Sequence, residues 1–393
     1  MIETPVYLDY NATTPCHPDV VAAMLPFFTN WYGNAASNNH SYGWQAAEGV
    51  AIAREQVAAL INASAEEIVF TSGATEAINL AIKGVYEAYA FKGNHIITVA
   101  TEHKAVLDTC MHLEKKGAVV TYLPVQADGL IDITQLKESI TPATILIAVL
   151  FANNETGVIQ DVAAIGKIAK EKEVLFFCDG VQAAGKIKTD VLAAGIDLLA
   201  LSAHKLYGPK GVGALYVRRK NPRVKLMAQI DGGGHEKGMR SGTLNVPAIA
   251  GMGKACAIAI NEMVPAAERM SLLRNKLETT IQLGLHDCVV NGSTVGRLPH
   301  VSNISFKGVD GGRLLNGLIS YAAVSSGAAC TSALPKPSHV LKAMGVADGL
   351  AKASLRFSVG WFTTTEEVNF VAEKTIALVK ELRGGDDDKS IRQ

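Results

Sequence analysis

The sequence has 393 residues, with 37 Lys and Arg balanced by 37 Asp and Glu, so its formal net charge at pH 7 is zero. This length suits one large domain and a smaller one, and the balanced charge creates no overall field that would gather nucleic acid or an anionic membrane surface. The segment after Met1 lacks a basic and apolar leader pattern, and the longest apolar stretch, Ile145 to Ala152, is too short to span a bilayer. We therefore expect a cytoplasmic protein that binds neither nucleic acid nor membrane.

Between about residues 45 and 260, short apolar runs rich in β-branched residues alternate with longer segments of helical periodicity. This alternation is typical of parallel βαβ units. It predicts an open α/β sheet whose strands are buried on both faces. In chain order the predicted strands are 68–70, 95–99, 119–123, 145–150, 174–178, 198–201 and 213–217.

From about Asn261 the pattern changes to a long helix that reaches about Lys276, followed by strands at 303–306 and 354–358. This shift predicts a second, smaller α+β domain. The expected division is a large domain over 16–260, a small domain over 1–15 and 261–383, and a tail over 384–393. The tail is rich in Gly and Asp, and we expect it to be disordered.

Polar residues follow several predicted strands at the points where the strands end. Open α/β sheets bind ligands outside the carboxyl ends of their strands, so these residues are candidates for one shared site. Thr71–Glu76 forms a glycine turn before a predicted helix over 77–85, where free backbone N–H groups suit a phosphate. An ordinary capped helix start is the alternative for this segment alone. After other strands, His103 provides a flat ring, and Asn154 and Gln182 provide amides.

Asp179 directly follows the predicted strand 174–178, and Lys205 ends the segment Ser202–Lys205 that follows the next predicted strand, 198–201. Lysine is seldom buried without a partner, and a desolvated amine becomes a nucleophile toward carbonyl groups. A site for pyridoxal 5'-phosphate (PLP) needs a Schiff-base lysine and an acid beside the ring nitrogen. Taken singly, Lys205 is equally well explained by a stem lying along apolar surface, and Asp179 by a helix N-cap. Together with Ser202 and His204, they predict bound PLP.

The six cysteines are scattered without a C-x-x-C pair, so the sequence signals neither a zinc site nor a disulfide framework. Cys110, Cys178 and Cys256 lie among apolar neighbours and are predicted to be buried and inert. Cys330 lies in Ser325–Ser332, a run of small residues that permits a mobile loop with an accessible thiol. Such a thiol is a nucleophile where its surroundings lower its pKa, and is otherwise merely an exposed cysteine.

These motifs resemble those of the cysteine desulfurases, in the class-V aminotransferase superfamily of PLP enzymes, and specifically the iron-sulfur cluster type with a long cysteine loop. The resemblance covers nearly the whole chain. The matched motifs are Tyr7–Pro15, Phe70–Glu76, Thr101–His103, Asn153–Gly157, Ser202–Lys205, Arg240–Thr243 and Ser325–Ser332. It implies an α/β fold of the fold-type-I PLP-dependent transferases, with a mostly parallel central sheet, a smaller α+β C-terminal domain and PLP as the cofactor.

The resemblance also implies roles for the matched positions. The residues expected to bind PLP are Ala74, Thr75, His103, Asn154, Asp179, Gln182, Ser202, His204, Lys205 and Thr243. Thr243 would reach the phosphate of the neighbouring subunit, which implies a homodimer with shared sites. Asn34 and Arg356 would bind the substrate carboxylate, a task that suits a guanidinium fork.

The implied reaction converts L-cysteine to L-alanine and leaves a persulfide on Cys330. Lys205, His103 and Cys330 would be the catalytic residues, the first two moving protons and the third taking the sulfur. The sulfur would pass to a protein acceptor such as an iron-sulfur scaffold. No intrinsic metal is expected, although Cys330 would be placed to ligate an iron-sulfur cluster transiently with such a partner.

Two enzyme classes share this cofactor site and remain alternatives: selenocysteine lyase and other class-V transaminase-like PLP enzymes. A catalytically silent sulfur-handling scaffold protein is a third alternative, and the presence of Asp179, Lys205 and Cys330 argues against it. Residues 383–393 contain nothing like the Ser-Pro-Leu-Trp-Glu ending that iron-sulfur-type enzymes use in docking. The sequence therefore leaves the identity of the sulfur acceptor open.

Overall fold

The computed structural model describes residues 2–326 and 337–390. The strands in these ranges are β1 Val6–Tyr7, β2 Ile68–Thr71, β3 His95–Val99, β4 Val119–Leu123, β5 Thr144–Leu150, β6 Leu175–Asp179, β7 Leu198–Ser202, β8 Gly213–Val217, β9 Cys288–Val290, β10 Val301–Phe306, β11 Ala322–Ala323, β12 Ser325–Ser326 and β13 Ser354–Ser358. The helices are α1 Pro18–Met24, α2 Pro26–Thr29, α3 Ser41–Leu60, α4 Ala74–Ala88, α5 Lys104–Glu114, α6 Ile133–Ser139, α7 Val162–Glu171, α8 Val246–Gly284, α9 Gly311–Leu318, α10 His339–Ala343, α11 Asp348–Lys352 and α12 Thr365–Ser390.

The central sheet has seven strands in the order β2-β8-β7-β6-β5-β3-β4. The five strands from β7 to β4 run parallel to one another, and β8 is antiparallel to both of its neighbours. The predicted mostly parallel α/β sheet is thus confirmed, but β8 is not part of the parallel series that its sequence suggested. The β7–β8 connection over 203–212 is too short for a crossover helix, so the chain returns in the opposite direction.

Successive residues of the central strands face opposite sides of the sheet, as strand geometry requires. Ile147 and Val149 of β5 lie in one core cluster, which includes residues of α3 and α7, while Leu146 and Ala148 lie in another with residues of α4 and α5. The expectation that every strand is buried on both faces is wrong for β4. Val119 in β4 is 55% exposed because this strand is the sheet edge.

A four-stranded antiparallel sheet, β12-β13-β10-β9, forms a second layer, and β1 pairs with β11 in a separate two-stranded parallel sheet. A third core cluster contains Leu8 from the N-terminal segment together with Phe306 from β10, Phe357 from β13 and Val371 from α12. The antiparallel sheet and α12 are the strands and helix expected for an α+β unit, and β10 and β13 include the predicted strands 303–306 and 354–358.

Helix α8 spans 39 residues and contains Pro265, whereas the sequence predicted only about 261–276. Its first half, including Met252, packs in a core cluster of the central sheet, and its second half, including Leu277, packs in the third cluster. We keep residue 260 as the proposed domain boundary, which places it inside a continuous helix. None of the helices in the two described ranges has both the length and the apolar character needed to cross a bilayer.

The last helix differs from its prediction. Helix α12 continues to Ser390, past residue 384, where the sequence predicts a disordered tail. Two glycines lower the helix propensity of this stretch without excluding helical backbone. Residues 391–393 lie outside the described ranges.

Candidate active site

A cavity of about 710 Å³ opens at the carboxyl edge of the central sheet. The ends of β5, β6 and β7 contribute Leu150, Asp179 and Ser202 to its wall. Because these strands are parallel, their carboxyl ends meet at one edge, where ligands of open α/β sheets bind. The fold therefore collects residues that are far apart in the sequence around one volume.

Lys205 ends a single 3₁₀ turn, Ala203–Lys205, directly after β7. Its Nζ donates hydrogen bonds to the backbone carbonyl oxygens of Asn11 at 2.5 Å and Ala12 at 2.6 Å. Burial and the Arg356 guanidinium lower the pKa of this amine to about 8, although Asp9 and Asp179 act in the opposite direction. A much larger fraction of Lys205 than of an ordinary lysine is therefore uncharged, and thus nucleophilic, near neutral pH.

Asp179 is the last residue of β6 and is buried. Its Oδ1 accepts a hydrogen bond from the Val181 backbone N–H at 3.1 Å. Burial raises the pKa of this carboxyl group, while His103, the Val181 N–H and Lys205 oppose the rise. A buried carboxyl with a raised pKa favours a cationic or proton-bearing partner on the cavity side.

His103 caps the N-terminus of α5, where its Nδ1 accepts a hydrogen bond from the Ala105 backbone N–H at 3.1 Å. The residue is exposed on the side of the open cavity, and partial desolvation by the surrounding protein, together with Lys205 and His339, lowers the pKa of the ring despite the nearby Asp179 carboxylate. The imidazole is therefore neutral, with its proton on Nε2. A neutral flat ring at the cavity wall is suited to stacking on an aromatic ligand.

Helix α4 directs its N-terminus at the cavity. Its N-cap, Gly73, provides no side-chain hydrogen bond to the first turn, so the backbone N–H groups at Ala74 and Thr75 are available to an anion. On the opposite wall, His204 Nδ1 lies 3.2 Å from Thr13 Oγ1, and burial together with nearby lysines lowers the pKa of His204 to about 4. The neutral imidazole is positioned as a hydrogen-bonding group rather than as a cation.

Arg356 lies in β13, on the side of the cavity that the small domain contributes. Its Nη2 donates to Asp9 Oδ1 at 2.6 Å, and its Nη1 donates to the Asn154 carbonyl oxygen at 3.0 Å. The Asp9 carboxylate also accepts a hydrogen bond from Ser325 Oγ at 2.9 Å. The guanidinium is thus held in one orientation at the cavity wall.

These groups fit PLP. Lys205 would provide an amine of lowered pKa for the aldehyde, Asp179 would provide a buried carboxyl for the ring nitrogen, and the uncapped start of α4 would provide N–H donors for the phosphate. His103 lies where it would cover the ring. This donor set is complementary to each polar part of the cofactor.

The structure brings most of the residues proposed from sequence to this cavity. Those that line it are Ala74, Thr75, His103, Asn154, Asp179, Gln182, Ser202, His204, Lys205 and Arg356. Asn34 and Thr243 are exposed and lie outside the wall of this cavity. Cys330 lies outside the described residues.

Sequence reasoning missed several cavity residues. Asn11 and Thr13 belong to the Tyr7–Pro15 motif but were given no role, and Lys210 lies in a loop that no strand end marks. Asn11 is almost completely buried, and its Nδ2 donates to the Asn154 carbonyl oxygen at 2.9 Å. The sequence signal that could have identified Asn11 and Thr13 is the run of polar residues in Tyr7–Pro15, which directly follows the short apolar stretch at Val6.

The five cysteines of the described ranges are not catalytic candidates. Cys110, Cys178 and Cys256 are buried as predicted, and burial raises the pKa of each thiol, to about 12 for Cys110 and Cys256. Burial also raises the pKa of the partly exposed Cys16 and Cys288. The described residues contain no group of three or more His, Cys, Asp or Glu side chains arranged to hold a metal ion.

Comparison with known proteins identifies the family. The model of the aminotransferase class-V family matches residues 6–371. The chain is 53% identical over 382 residues to "Cysteine desulfurase IscS" of Anaeromyxobacter dehalogenans (strain 2CP-C), covering 97% of this chain and 94% of that protein. It has the same identity and coverage with the protein of that name from Neisseria meningitidis serogroup C / serotype 2a (strain ATCC 700532 / DSM 15464 / FAM18).

Solved structures agree with this assignment. A "NIFS-LIKE PROTEIN" superposes with a TM-score of 0.89 at 37% identity, covering 96% of this chain and all of that one. The predicted fold-type-I architecture is confirmed by this likeness and by the central sheet described above. The chain therefore belongs to the class-V aminotransferase family of PLP-dependent enzymes, and within it to the cysteine desulfurases.

Proposed function

We propose that the chain converts L-cysteine to L-alanine with PLP as its cofactor, and that Cys330 receives the substrate sulfur as a persulfide. The observation that carries the proposal is the convergence of Lys205, Asp179 and Arg356 on one cavity of about 710 Å³. An amine, a buried acid and a guanidinium match the aldehyde and ring nitrogen of PLP and the carboxylate of an amino acid. The names of the curated relatives support L-cysteine as the substrate.

When bound, PLP supplies an electron sink that makes the Cα proton of an amino acid acidic. Asp179 holds the proton at the ring nitrogen, a role suited to a buried carboxyl that is coupled electrostatically to its neighbours. Lys205 Nζ removes the Cα proton, because its pKa of about 8 leaves the free amine available near neutral pH. Arg356 orients the substrate by binding its carboxylate.

The sulfur step assigned to Cys330 balances in bonds and electrons. The Cys330 thiolate forms an S–S bond with the substrate sulfur while the Cβ–S bond breaks, and Cβ keeps that electron pair. A proton delivered by His103 or Lys205 to Cβ, followed by return of the Cα proton from Lys205, then completes alanine. No external oxidant is required.

Two observations support Cys330 as the acceptor of sulfur. The five other cysteines all have raised pKa values, and none lines the cavity in the part of the chain that the structure describes. Ser325, five residues before Cys330 in the sequence, pairs with Arg356 between β12 and β13 and thus lies beside a residue of the cavity wall.

We propose the remaining assignments on chemical grounds. The relatives' name favours an iron-sulfur scaffold as the acceptor of the persulfide. A homodimer is supported by exposed aromatic side chains around α2 and α3, which are of the type enriched in protein interfaces: Phe28, Trp31, Tyr32, Tyr42 and Trp44. Thr243 would serve the site of the second subunit, and we place the enzyme in the cytoplasm.

The test compares three proteins purified with PLP: the natural chain, Cys330→Ala and Cys288→Ala. Cys288 is a partly exposed thiol of the small domain and is the matched control. The natural chain and Cys288→Ala are expected to release one alanine per sulfide in the presence of a reductant. Cys330→Ala should still change the absorption spectrum of the cofactor on addition of L-cysteine, yet release no alanine.

Full turnover by Cys330→Ala would remove Cys330 from the mechanism, and turnover of L-selenocysteine alone would favour a selenocysteine lyase. Borohydride reduction followed by peptide mass spectrometry checks Lys205 independently. The reduced cofactor is expected on the peptide that contains Lys205. A stable adduct on another lysine contradicts the assignment.

A further inference from the structure

Lys186 is a buried lysine directly behind the cavity wall. It lies in the turn that follows β6 and is only 5% exposed. Its Nζ donates a hydrogen bond to Gln182 Oε1 at 2.8 Å, and within the described ranges no carboxylate forms an ion pair with it. A lysine in this environment requires an explanation, because an apolar side chain of similar length would fill the same space without desolvating an amine.

The surroundings of Lys186 are electropositive. Burial and the nearby Lys205 and Arg356 lower its pKa well below the ordinary value. The positive charge of Lys186 also contributes to the lowered pKa values of His204 and His300. Neither histidine provides a compensating negative charge, and Asp9 and Asp179 act on Lys205 rather than on Lys186. Among residues 2–326 and 337–390, the hydrogen-bond acceptor of the amine is therefore the Gln182 amide oxygen.

That contact determines which way the Gln182 amide points. The two ends of a Gln amide have nearly the same shape, so hydrogen bonding decides the orientation. With Oε1 held by Lys186, Nε2 points to the other side, where it donates to the Asn11 carbonyl oxygen at 3.2 Å. A flipped amide would lose the hydrogen bond from Lys186 to Oε1 and would turn Oε1 toward the Asn11 carbonyl oxygen, acceptor against acceptor.

We propose that Lys186 is a positioning residue that fixes the Gln182 amide with its NH₂ group toward the cavity, so that this group donates to the ring oxygen of bound PLP. This inference rests on the proposed function, because it requires PLP in the cavity. It assigns Lys186 no contact with substrate or cofactor. Its effect passes through Gln182, which lines the cavity.

The expected signature is spectroscopic. A donor to the ring oxygen stabilises negative charge there, and so lowers the pKa of the chromophore that PLP forms with Lys205. Loss of Lys186 frees the amide to rotate away from the ring oxygen, and this change raises that pKa. The shift expected for one lost hydrogen bond to a charged group is about one pH unit, a tenfold change in proton affinity.

The experiment titrates the absorption band of the bound cofactor against pH in the natural chain, Lys186→Met and Lys188→Met. Lys188 is an exposed lysine two residues after Lys186, and its substitution by Met removes the same formal charge. The midpoint should rise in Lys186→Met and stay unchanged in Lys188→Met. Thermal unfolding of the apo forms should show no loss of stability in Lys186→Met, because the buried amine has no ion pair to lose.

A double-mutant cycle separates positioning from general damage. Gln182→Leu alone should raise the midpoint, and adding Lys186→Met to it should have little further effect. Additive shifts, or an unchanged midpoint in Lys186→Met, would overturn the inference. Lys186→Leu serves as a second variant if the Met form does not fold. A natural chain without any cofactor band would instead contradict the proposed function.

Discussion

At the scale of single residues, the state of the Lys205 amine decides the chemistry. Two carbonyl oxygens hold the amine in place, while burial and Arg356 favour its uncharged form. Carbonyl acceptors alone would favour the ammonium ion, so the lowered pKa reflects the dominance of desolvation. The free amine is thus available at neutral pH without a separate general base beside it.

Arg356→Gln is predicted to raise the pKa of Lys205. The substitution removes a positive neighbour and leaves Asp9, which acts in the raising direction, without its ion pair. Only the neutral amine attacks an aldehyde, so the rate of covalent PLP uptake by the apoprotein should rise with pH through a midpoint near 8 in the natural chain. In Arg356→Gln the midpoint should move to higher pH.

The matched control for this experiment is Lys352→Gln, which removes one exposed positive charge from α11. Its midpoint should equal that of the natural chain. A midpoint that does not move in Arg356→Gln would contradict the electrostatic contribution of the guanidinium to Lys205.

The sequence predicts residues that directly follow strands better than residues in loops. Asp179 and Ser202 end β6 and β7, and the rule that ligands bind at carboxyl ends located both at the cavity. Asn11 and Lys210 reach the cavity through tertiary packing, which no local pattern encodes. The roles of Asn34 and Thr243 remain predictions, since neither lies in the wall of this cavity.

At the scale of elements, the start of α4 depends on an unusual backbone conformation. Gly73 has φ +154° and ψ 179°, a region that is essentially restricted to glycine. A Cβ added there would have no atom within 4 Å, so the cost of a side chain is conformational rather than steric. This backbone presents the N–H groups of the first turn to the cavity.

Gly73→Ala is therefore expected to lower the free energy of unfolding by about 1–3 kcal/mol, measured by urea denaturation of the apoprotein. Gly349→Ala is the control, because Gly349 also has open space around it but lies in helix α11 without a positive φ. That substitution should stabilise the protein by up to about 1 kcal/mol. Equal effects at the two positions would refute the conformational argument.

The side chain of Glu236 connects its loop to α3 and β2 through hydrogen bonds with Arg54 and Phe70. Its carboxylate forms two hydrogen bonds with Arg54, at 2.7 and 2.8 Å, and accepts another from the Phe70 backbone N–H at 2.7 Å. Glu236→Ala leaves a largely buried guanidinium without its carboxylate, although Arg54 keeps a hydrogen bond to the Ile68 carbonyl oxygen, and leaves the buried Phe70 N–H without its acceptor. The expected loss of unfolding free energy in denaturant titration is about 3 kcal/mol.

The exposed ion pair between Lys342 and Asp348 provides the contrast. Its atoms are 3.5 Å apart and both side chains are more than half exposed. Asp348→Ala should cost less than about 1 kcal/mol, because water screens such pairs. A loss at Glu236 no larger than the loss at Asp348 would show that burial does not determine the strength of these contacts.

Element types were predictable from local periodicity, but their partners were not. The runs that form β4 and β8 were both predicted as strands, yet one is the sheet edge and the other is antiparallel. Apolar β-branched residues favour extended backbone wherever the strand lies in the sheet. The position and direction of a strand follow from the length and packing of its connections.

At the scale of the whole molecule, His300 connects the small-domain sheet to the N-terminal segment. It directly precedes β10, and its Nε2 lies 2.5 Å from Asn11 Oδ1. Burial, together with Lys186, Arg274 and Arg356, lowers the pKa of His300 well below the ordinary value. In the folded protein, the His300 side chain is therefore neutral.

The folded state is predicted to lose stability as pH falls below about 6.5, the ordinary pKa of histidine in unfolded chains. Below that pH the unfolded chain protonates at this position and the folded chain does not, so the contribution of His300 is complete above it and declines as pH falls. The slope from one such group is about 1.4 kcal/mol per pH unit. His300→Gln keeps an N–H donor toward Asn11 and should have a shallower decline in denaturant titrations at several pH values.

His286→Gln is the control for this series, because His286 is exposed. Its decline with acidification should match that of the natural chain. If His300→Gln also matched the natural chain, another buried group would have to account for the acid sensitivity.

The wall of the cavity is built from residues that lie between Asn11 and Arg356. During synthesis on the ribosome, Asn11 and Ala12, whose carbonyl oxygens accept the hydrogen bonds of the Lys205 amine, emerge early. Arg356 of β13 emerges near the end of synthesis. A nascent chain that ends before Arg356 thus contains the lysine but not the finished pocket. Two fragments divided near residue 300 should each fail to retain PLP, and mixing them should restore retention only when both halves assemble.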